Sequence, residues 1–425
     1  MRSGSVPHVI LPSVGTHGDV FPFIALGRVL RARGCRVTLA VNESYRSIAA
    51  ECGCEFVPLA TDAETHELLS DPGIWNPYRS AVIGARWGVN SLRKHHALLS
   101  ELAADPDTVL AAPPQILAAR LIQEKLGRPL ATICYIPWMI ASSIAPPAIM
   151  GGLTLPRWAP RPMAKAYWWT VDAAGWALIG RHLNQFRREL NLPPVRRLFR
   201  WWTSPELAIG LFPEWYGVPQ PDWPPQLKLC GFPFYDGVQQ PVLDPELLDF
   251  CRAGEPPIAV TFGTGMMHAD KLFREVVEAC RRRGHRALLL ARHPDQIPDD
   301  LPEGIRHVPY APLLQLLPHC AAIIHHGGIG TTAKGLAAGC PQLIIPHAWD
   351  QLDNALRVEQ LGAGRRLSRR SANARRVTAA IDAVLEPQVS TNCRNVADRF
   401  GIDDPLQQAA EWVELLGMTN RVNSQ

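Results

Sequence analysis

The sequence has no stretch approaching the roughly 20 uninterrupted apolar residues that a membrane-crossing helix needs. No apolar run follows the basic start at Arg2, so a signal peptide is not expected. The charge excess is small, +4 over 425 residues, and leaves no electrostatic footprint for nucleic acid. The ten cysteines are scattered, and Cys52-Gly53-Cys54 is too tight for a CxxC metal or redox pair. Free thiols in a reducing cytoplasm are therefore expected. Short-period repeats and low-complexity tracts are missing too. What these absences leave is a cytoplasmic protein, soluble or resting on the cytoplasmic face of a membrane. Its length and 47% hydrophobic content suffice for two or three ordinary domains.

What is present is alternation. Val6 to Leu11 reads as a strand, the loop Gly15-Thr16-His17-Gly18-Asp19 follows, and a helix is expected from about Val20 to Arg33 with Gly34 ending it. Strands at Val37–Val41, Phe56–Pro58, Thr108–Ala111, Pro129–Cys134, Leu207–Leu211 and Leu227–Leu229 are separated by helical stretches, the longest from about Tyr78 to Leu102. Such alternation predicts α/β architecture with parallel sheets covered on both faces. Asp236-Gly237 and the prolines 241, 245, 256 and 257 break the rhythm and read as a linker over 237–256. The pattern restarts at Ile258–Phe262, the loop Gly263-Thr264-Gly265, and strands at Ala287–Leu290 and His307–Pro309. Two doubly wound, Rossmann-like domains are expected, 1–236 and 257–402, with a C-terminal helix in 403–425.

The second half carries the stretch with the clearest chemistry, Ile323-Ile324-His325-His326-Gly327-Gly328-Ile329-Gly330-Thr331-Thr332. A short apolar strand breaks into glycines and resumes as a helix. Glycines let the backbone approach an anion, and the free N–H groups of the helix's first turn point at it. No lysine follows as a P-loop requires, so any phosphate grip here is of another kind. A glycine turn between a buried strand and a helix is the alternative reading of these residues alone. Downstream lie Gly339-Cys340-Pro341, the strand Gln342–Pro346, and Ala348-Trp349-Asp350-Gln351 with Asn354-Ala355; upstream lies Tyr310-Ala311-Pro312.

Together these elements resemble the nucleotide-sugar signature of the GT-B glycosyltransferases of the UDP-glycosyltransferase superfamily. The resemblance implies two facing domains with an interdomain cleft and the last helix crossing back to the N-terminal domain. It implies diphosphate contacts from His326, Gly328, Gly330, Thr331 and Thr332, with Thr264 also on the donor. Tyr310 would stack on the base, and Asp350 with Gln351 would hold the sugar hydroxyls. No metal and no cofactor are implied beyond the nucleotide-sugar co-substrate.

In open α/β sheets ligands bind beyond the carboxyl ends of the strands, which places the loop after the first strand at the site. Transfer to a hydroxyl needs a base, and Asp19 and His17 are the two candidates. Asp19 stands where plant members of the superfamily carry a catalytic histidine, and antibiotic-modifying bacterial relatives place an aspartate there. His17 has the better intrinsic pKa. Asp19 as a helix cap is the structural alternative. Members with a histidine base pair it with an aspartate after the fourth strand; this chain reads Ala111-Ala112-Pro113-Pro114 there. Lys334 stands where plant enzymes carry the glutamate that holds both ribose hydroxyls, a loss that a dTDP-linked donor tolerates; a solvated helix residue is the alternative reading of Lys334.

Asp71 to Pro77, Gln220 to Pro224, Gly231 to Gly237 and Gly15 to Phe23 resemble bacterial rhamnolipid rhamnosyltransferases, which move L-rhamnose from dTDP-rhamnose to a 3-(3-hydroxyalkanoyloxy)alkanoate. The expected activity is that of an inverting hexosyltransferase making a mono-rhamnolipid. A UDP-glucose-dependent enzyme acting on a sterol or macrolide, and a nucleotide-sugar epimerase, are the alternatives. A lipid acceptor needs an apolar wall, for which Phe21, Phe23, Trp75, Trp138 and Met139 are the candidates. Residues 156–202 hold six of the thirteen tryptophans interleaved with arginines. That composition suits either helices packed on the domain with snorkelling arginines or contact with the inner membrane surface.

Overall fold

The computed structural model describes residues 7–148, 155, 159–235, 237, 242–401 and 403–423. Val6, Pro156, Arg157, Asp236 and Pro241 lie outside the described residues, as do the side chains of 421–423. The chain divides into two compact units. One comprises Met1–Leu68, Tyr78–Val238 and Asp404–Gln425, and the other Leu69–Pro77 and Gln239–Asp403.

The N-terminal unit is built on seven strands: β1 (His8–Pro12), β2 (Arg36–Asn42), β3 (Glu55–Ala60), β4 (Thr108–Ala112), β5 (Leu130–Cys134), β6 (Leu207–Gly210) and β7 (Leu227–Leu229). Their order is β3-β2-β1-β4-β5-β6-β7, and every pairing is parallel. β1, β4 and β5 are buried along their whole length, as strands covered by helices on both faces must be. The winding reverses between β1 and β4. Their carboxyl ends therefore flank the crevice where open α/β sheets bind ligands. The helix Pro405–Asn423 returns to this unit and packs on the helix His17–Ala32 and on β4. Arg33 and Glu414 pair there at 2.7 Å near the surface, worth at most about 1 kcal/mol.

The tryptophan- and arginine-rich segment forms the helices Arg161–Gly175 and Arg181–Glu189, joined by one π turn, Trp176–Gly180. Trp202 is buried, and Trp176 and Trp201 pack beside it against Leu117, Leu121, Leu183 and Phe186. The packed reading therefore holds for these three rings. Arg187 is 2% exposed; it donates to Glu124 Oε2 and to the carbonyl of Pro193, and its guanidinium lies 5.1 Å from the Trp201 ring centre. Trp169 is the exception, 67% exposed on the helix surface.

The C-terminal unit holds β8 (Ile258–Thr261), β9 (Ala287–Leu290), β10 (Ile305–Val308), β11 (Ala322–His325), β12 (Gln342–Ile344) and β13 (Gly364–Arg366). They form one parallel sheet in the order β10-β9-β8-β11-β12-β13, with its reversal between β8 and β11. Two sequence expectations change here. Pro245–Arg252, inside the expected linker, is a helix whose Leu247, Phe250 and Cys251 pack against Leu288, Leu290 and Leu316. Pro245 sits in its first turn, where a missing N–H costs nothing, and the Asp244 side chain accepts from Glu246 N–H. Trp75, expected on the acceptor wall, belongs to a short segment of the C-terminal unit, where its carbonyl accepts from Arg369 Nη1 at 3.4 Å.

Candidate active site

The first constellation lies beyond β1. The helix there begins at His17, three residues before the expected start at Val20, because Asp19 and Thr16 form its cap. Asp19 is the third helical residue. Its Oδ2 accepts from the backbone N–H of Thr16 at 2.8 Å and from the Thr16 hydroxyl at 3.0 Å. The carboxylate folds back so far that a Cβ on Gly15 would lie 2.4 Å from Oδ2, and Gly15 adopts φ +145°. Only glycine fits that position. Buried Asn42 clamps the turn: its Oδ1 accepts from Gly15 N–H at 3.1 Å, and its Nδ2 donates to the Gly15 carbonyl at 3.2 Å.

The Tyr135 hydroxyl, directly after β5, donates to Asp19 Oδ1 at 2.8 Å. The Tyr135 phenol oxygen in turn accepts from Nε2 of Gln115, which follows β4, at 2.8 Å. So the place after the fourth strand, which carries no acid, reaches Asp19 through a phenol instead. Withdrawal from water pushes the Asp19 pKa up, and the hydrogen bonds from Tyr135 and Thr16 oppose that rise. A half-buried carboxylate with a raised pKa is a better proton acceptor than a solvated one. The helix cap and the carboxylate held by Tyr135 are one side chain.

His17 packs among aromatic side chains. Its ring stacks on Phe21 at 4.4 Å and 13°, and tilts against Tyr45 at 5.8 Å. Phe21 meets Tyr235 edge-on at 5.3 Å and is half-buried. Phe23 is fully buried and backs Tyr135 edge-on at 6.5 Å, so it supports the site from within the core. Met139 is buried as well, while half-buried Trp138 donates from Nε1 to the carbonyl of Ala148 at 3.2 Å. Of the expected apolar wall, Phe21 and Trp138 keep surface within the N-terminal unit.

The second constellation lies at the sheet reversal of the C-terminal unit. The His326 ring is sandwiched by two glycines. A Cβ on Gly263, after β8, would come within 2.9 Å of its Cε1, and one on Gly328 within 2.5 Å of its Nε2. Burial pulls its pKa down to about 4, so the imidazole is neutral at physiological pH. Its Nδ1 is enclosed without a hydrogen-bond partner among the described residues. Gly328 is the extended N-cap of the helix Ile329–Ala337 and supplies no capping side chain. The N–H groups of Ile329, Gly330 and Thr331 therefore remain for an anion. Gly330 is exposed and Thr331 half-buried, but Thr332 is sealed in the interior. The Thr332 hydroxyl faces packing, contrary to its expected place on the phosphate.

His325, Gln342 and Asn354, which carried no role in the sequence reading, hold this loop. His325 is fully buried; its Nε2 donates to Gln342 Oε1 at 2.9 Å, and its Nδ1 accepts from Gly327 N–H at 3.1 Å. Asn354 donates to the Gly327 carbonyl at 2.8 Å and to Asp350 Oδ2 at 2.6 Å. Gly327, at φ +95°, has room for no Cβ, which would lie 2.8 Å from the Gln351 carbonyl. The signal for all three was His, Gln and Asn at strand ends and in a first helical turn, types that rarely sit buried without a task.

The expected sugar pair is split in its roles. Asp350 is half-buried and held by Asn354. Gln351 is buried, and its Oε1 accepts from the N–H groups of His347 (2.8 Å) and Ala348 (3.1 Å), so its side chain first fixes the loop. Between them and that loop, Trp349 is held at φ +59° with its ring 38% exposed. Tyr310 is 54% exposed after β10, and Thr264 is exposed in the turn after β8. Lys334 is half-buried on the helix Ile329–Ala337. No group of three His, Cys, Asp or Glu side chains able to hold a metal occurs among the described residues. None of the described helices is long and apolar enough to cross a membrane, and the ten cysteines are free thiols.

Comparison with known proteins agrees with this layout. Residues 9–145 match the glycosyltransferase family 28 N-terminal domain, and residues 287–407 match the erythromycin biosynthesis protein CIII-like C-terminal domain. The chain is 28% identical over 441 residues to an O-mycaminosyltylonolide 6-deoxyallosyltransferase of Streptomyces fradiae, covering 96% of this chain and 97% of that one. It is 27% identical over 420 residues to a sterol 3-beta-glucosyltransferase of Arabidopsis thaliana, covering 94% of this chain but 66% of the plant protein. Among solved structures, the glycotransferase of kitacinnamycin superposes with a TM-score of 0.73 at 22% identity, over 97% of this chain and 100% of that one. The spinosyn rhamnosyltransferase complexed with thymidine diphosphate gives 0.65 at 18% identity, over 97% and 100%.

Proposed function

We propose that this glycosyltransferase, of the GT-B fold and the UDP-glycosyltransferase type, is an inverting rhamnosyltransferase using dTDP-L-rhamnose and a hydroxylated lipid. The observation that carries the transferase chemistry is the pair of sites beyond strand carboxyl ends: a fixed carboxylate after β1 and a neutral imidazole beside a bare helix N-terminus after β11.

In this reading the acceptor hydroxyl gives its proton to Asp19 Oδ1 as its oxygen bonds to the anomeric carbon. The bond from that carbon to the diphosphate breaks, and the electron pair leaves on the phosphate oxygen. Backbone N–H groups of the Gly328–Thr331 turn and one N–H of His326 meet the charge that develops, in place of a metal ion. Attack opposite the leaving group inverts the configuration. Asp350 and Gln351 hold the sugar, and Tyr310 covers the base.

Two features support the finer choice. Lys334 stands where a ribose-gripping glutamate is found in plant relatives, and the Streptomyces relative is named for a 6-deoxy sugar. The segments around Trp75, Trp223 and Phe232 resemble rhamnolipid enzymes. A lipid acceptor would run past Phe21 and Trp138, reached from the cytoplasmic face of a membrane. The plant relative favours a second reading, glucosyl transfer from UDP-glucose to a sterol-like aglycone. Incubation with dTDP-rhamnose or UDP-glucose, each with a hydroxyacyl lipid series or a sterol, separates them. The rhamnosyl reading expects KM to fall about fourfold per added CH₂ until the pocket is full, from about 0.8 kcal/mol per group. A flat response to chain length, or UDP displacing the donor as well as dTDP, would remove the lipid and dTDP assignments.

A further inference from the structure

Asp19 has two unequal oxygens. Oδ2 is closed off by the N–H and hydroxyl of Thr16 and by the Gly15 backbone against which it rests. Oδ1 carries the hydrogen bond from Tyr135 at 2.8 Å and faces away from the cap. Tyr135 has one proton, and its direction is decided by Gln115, because an amide nitrogen can only donate. With Gln115 Nε2 giving a hydrogen to the phenol oxygen at 2.8 Å, the phenol proton is left to point at Asp19. Tyr135 is 5% exposed and braced edge-on by the fully buried Phe23, so its hydroxyl position is set by the core. β1, β4 and β5, the strands that deliver Asp19, Gln115 and Tyr135, are consecutive neighbours in the sheet.

We propose that Tyr135, oriented by Gln115, is the positioning residue of the base, aiming Asp19 so that Oδ1 is the atom that takes the acceptor's proton. This rests on the reading of Asp19 as base. The phenol acts on the acceptor only through Asp19. It holds the carboxylate in the rotamer that the cap alone would fix from one side only, and it stabilises the ionised form that must be present before the hydroxyl can give up its proton. The chain thereby does with a neutral donor what a histidine base does with a carboxylate partner.

The test is the pH profile of kcat/KM for Tyr135→Phe, which removes only the hydroxyl. Loss of a hydrogen bond to a charged group should move the acidic limb up by about one to two pH units, a tenfold to hundredfold loss below the limb. A limb that stays in place, with only a lower Tm, overturns the proposal. Gln115 is exposed, so Gln115→Glu folds independently of the core and gives a second route. A carboxylate there has no hydrogen to give, so the phenol proton turns away from Asp19 and the limb should rise as well. In Tyr135→Phe the further change Gln115→Glu should add no comparable shift, and an undiminished shift would show that Gln115 does not act through the phenol. Asp19→Asn is measured alongside. If it keeps parental kcat, the base reading itself fails; if it is inactive while the Tyr135→Phe limb is unmoved, only the role of Tyr135 fails.

Discussion

Acidification from pH 8 to pH 5 offers a quantitative handle on the glycine-rich loop after β11 through His325. That imidazole is fully buried, spends both nitrogens on Gln342 and Gly327, and has its pKa pulled down to about 3, first by burial and then by neighbouring His326. In the unfolded chain a histidine titrates near 6.5. Below that value the unfolded state binds a proton that the folded state refuses, so stability present above about pH 6.5 is lost as pH falls toward 3. At pH 5 the loss from this one group is about 1.5 pH units at 1.36 kcal/mol each, or about 2 kcal/mol. Buried His347, also at about 3, adds a similar amount. The half-buried His326, at about 4, acts in the same direction. His325→Asn keeps an oxygen near the position of Nδ1 to accept from Gly327 but cannot titrate. Urea unfolding of parent and variant at both pH values should show the variant less stable at pH 8 yet losing about 2 kcal/mol less on acidification. Equal losses would refute the assignment of His325 as a neutral strut of the loop.

Three further outcomes follow from the geometry. Gly15→Ala places a methyl 2.4 Å from Asp19 Oδ2 at φ +145°, so kcat should fall about a hundredfold while dTDP affinity, measured by calorimetry, holds. His326→Ala removes one donor to the diphosphate and should cost about 2.7–4 kcal/mol in donor kcat/KM; an unchanged value would sink its role. Arg187→Met removes one of two guanidiniums from Glu124, which keeps Arg120 at 3.2 Å and the Trp201 indole N–H at 2.9 Å, and should destabilise the N-terminal unit by about 1.5–3 kcal/mol in a denaturant titration; an unchanged midpoint would refute the role of the pair.

The parallel sheets were legible because the buried strands are apolar runs bounded by turn residues, and because glycines sit where the chain turns sharply from strand to helix. β13 escaped notice since Gly364-Arg365-Arg366 is an edge strand with no apolar pattern. Pro245 looked like a linker residue because the sequence does not distinguish a proline that starts a helix from one that interrupts a chain. The start of the helix at His17 was missed for a related reason: Thr16 and Asp19 form a reciprocal cap whose second member lies inside the helix. Tyr135 and Gln115 are 116 and 96 residues from Asp19, and only the adjacency of β1, β4 and β5 brings the three together. Likewise, Phe23 and Met139 could not be told from pocket residues, since aromatic and sulfur side chains serve core and pocket alike.

The most direct test follows nucleotide diphosphate release from dTDP-rhamnose by the parent and by Asp19→Asn, with and without a 3-hydroxyacyl lipid. The parent should release dTDP only when the hydroxyl acceptor is present, and Asp19→Asn should bind dTDP as tightly while releasing none from the sugar nucleotide. Release independent of any acceptor, or transfer by Asp19→Asn at the parental rate, would contradict the account.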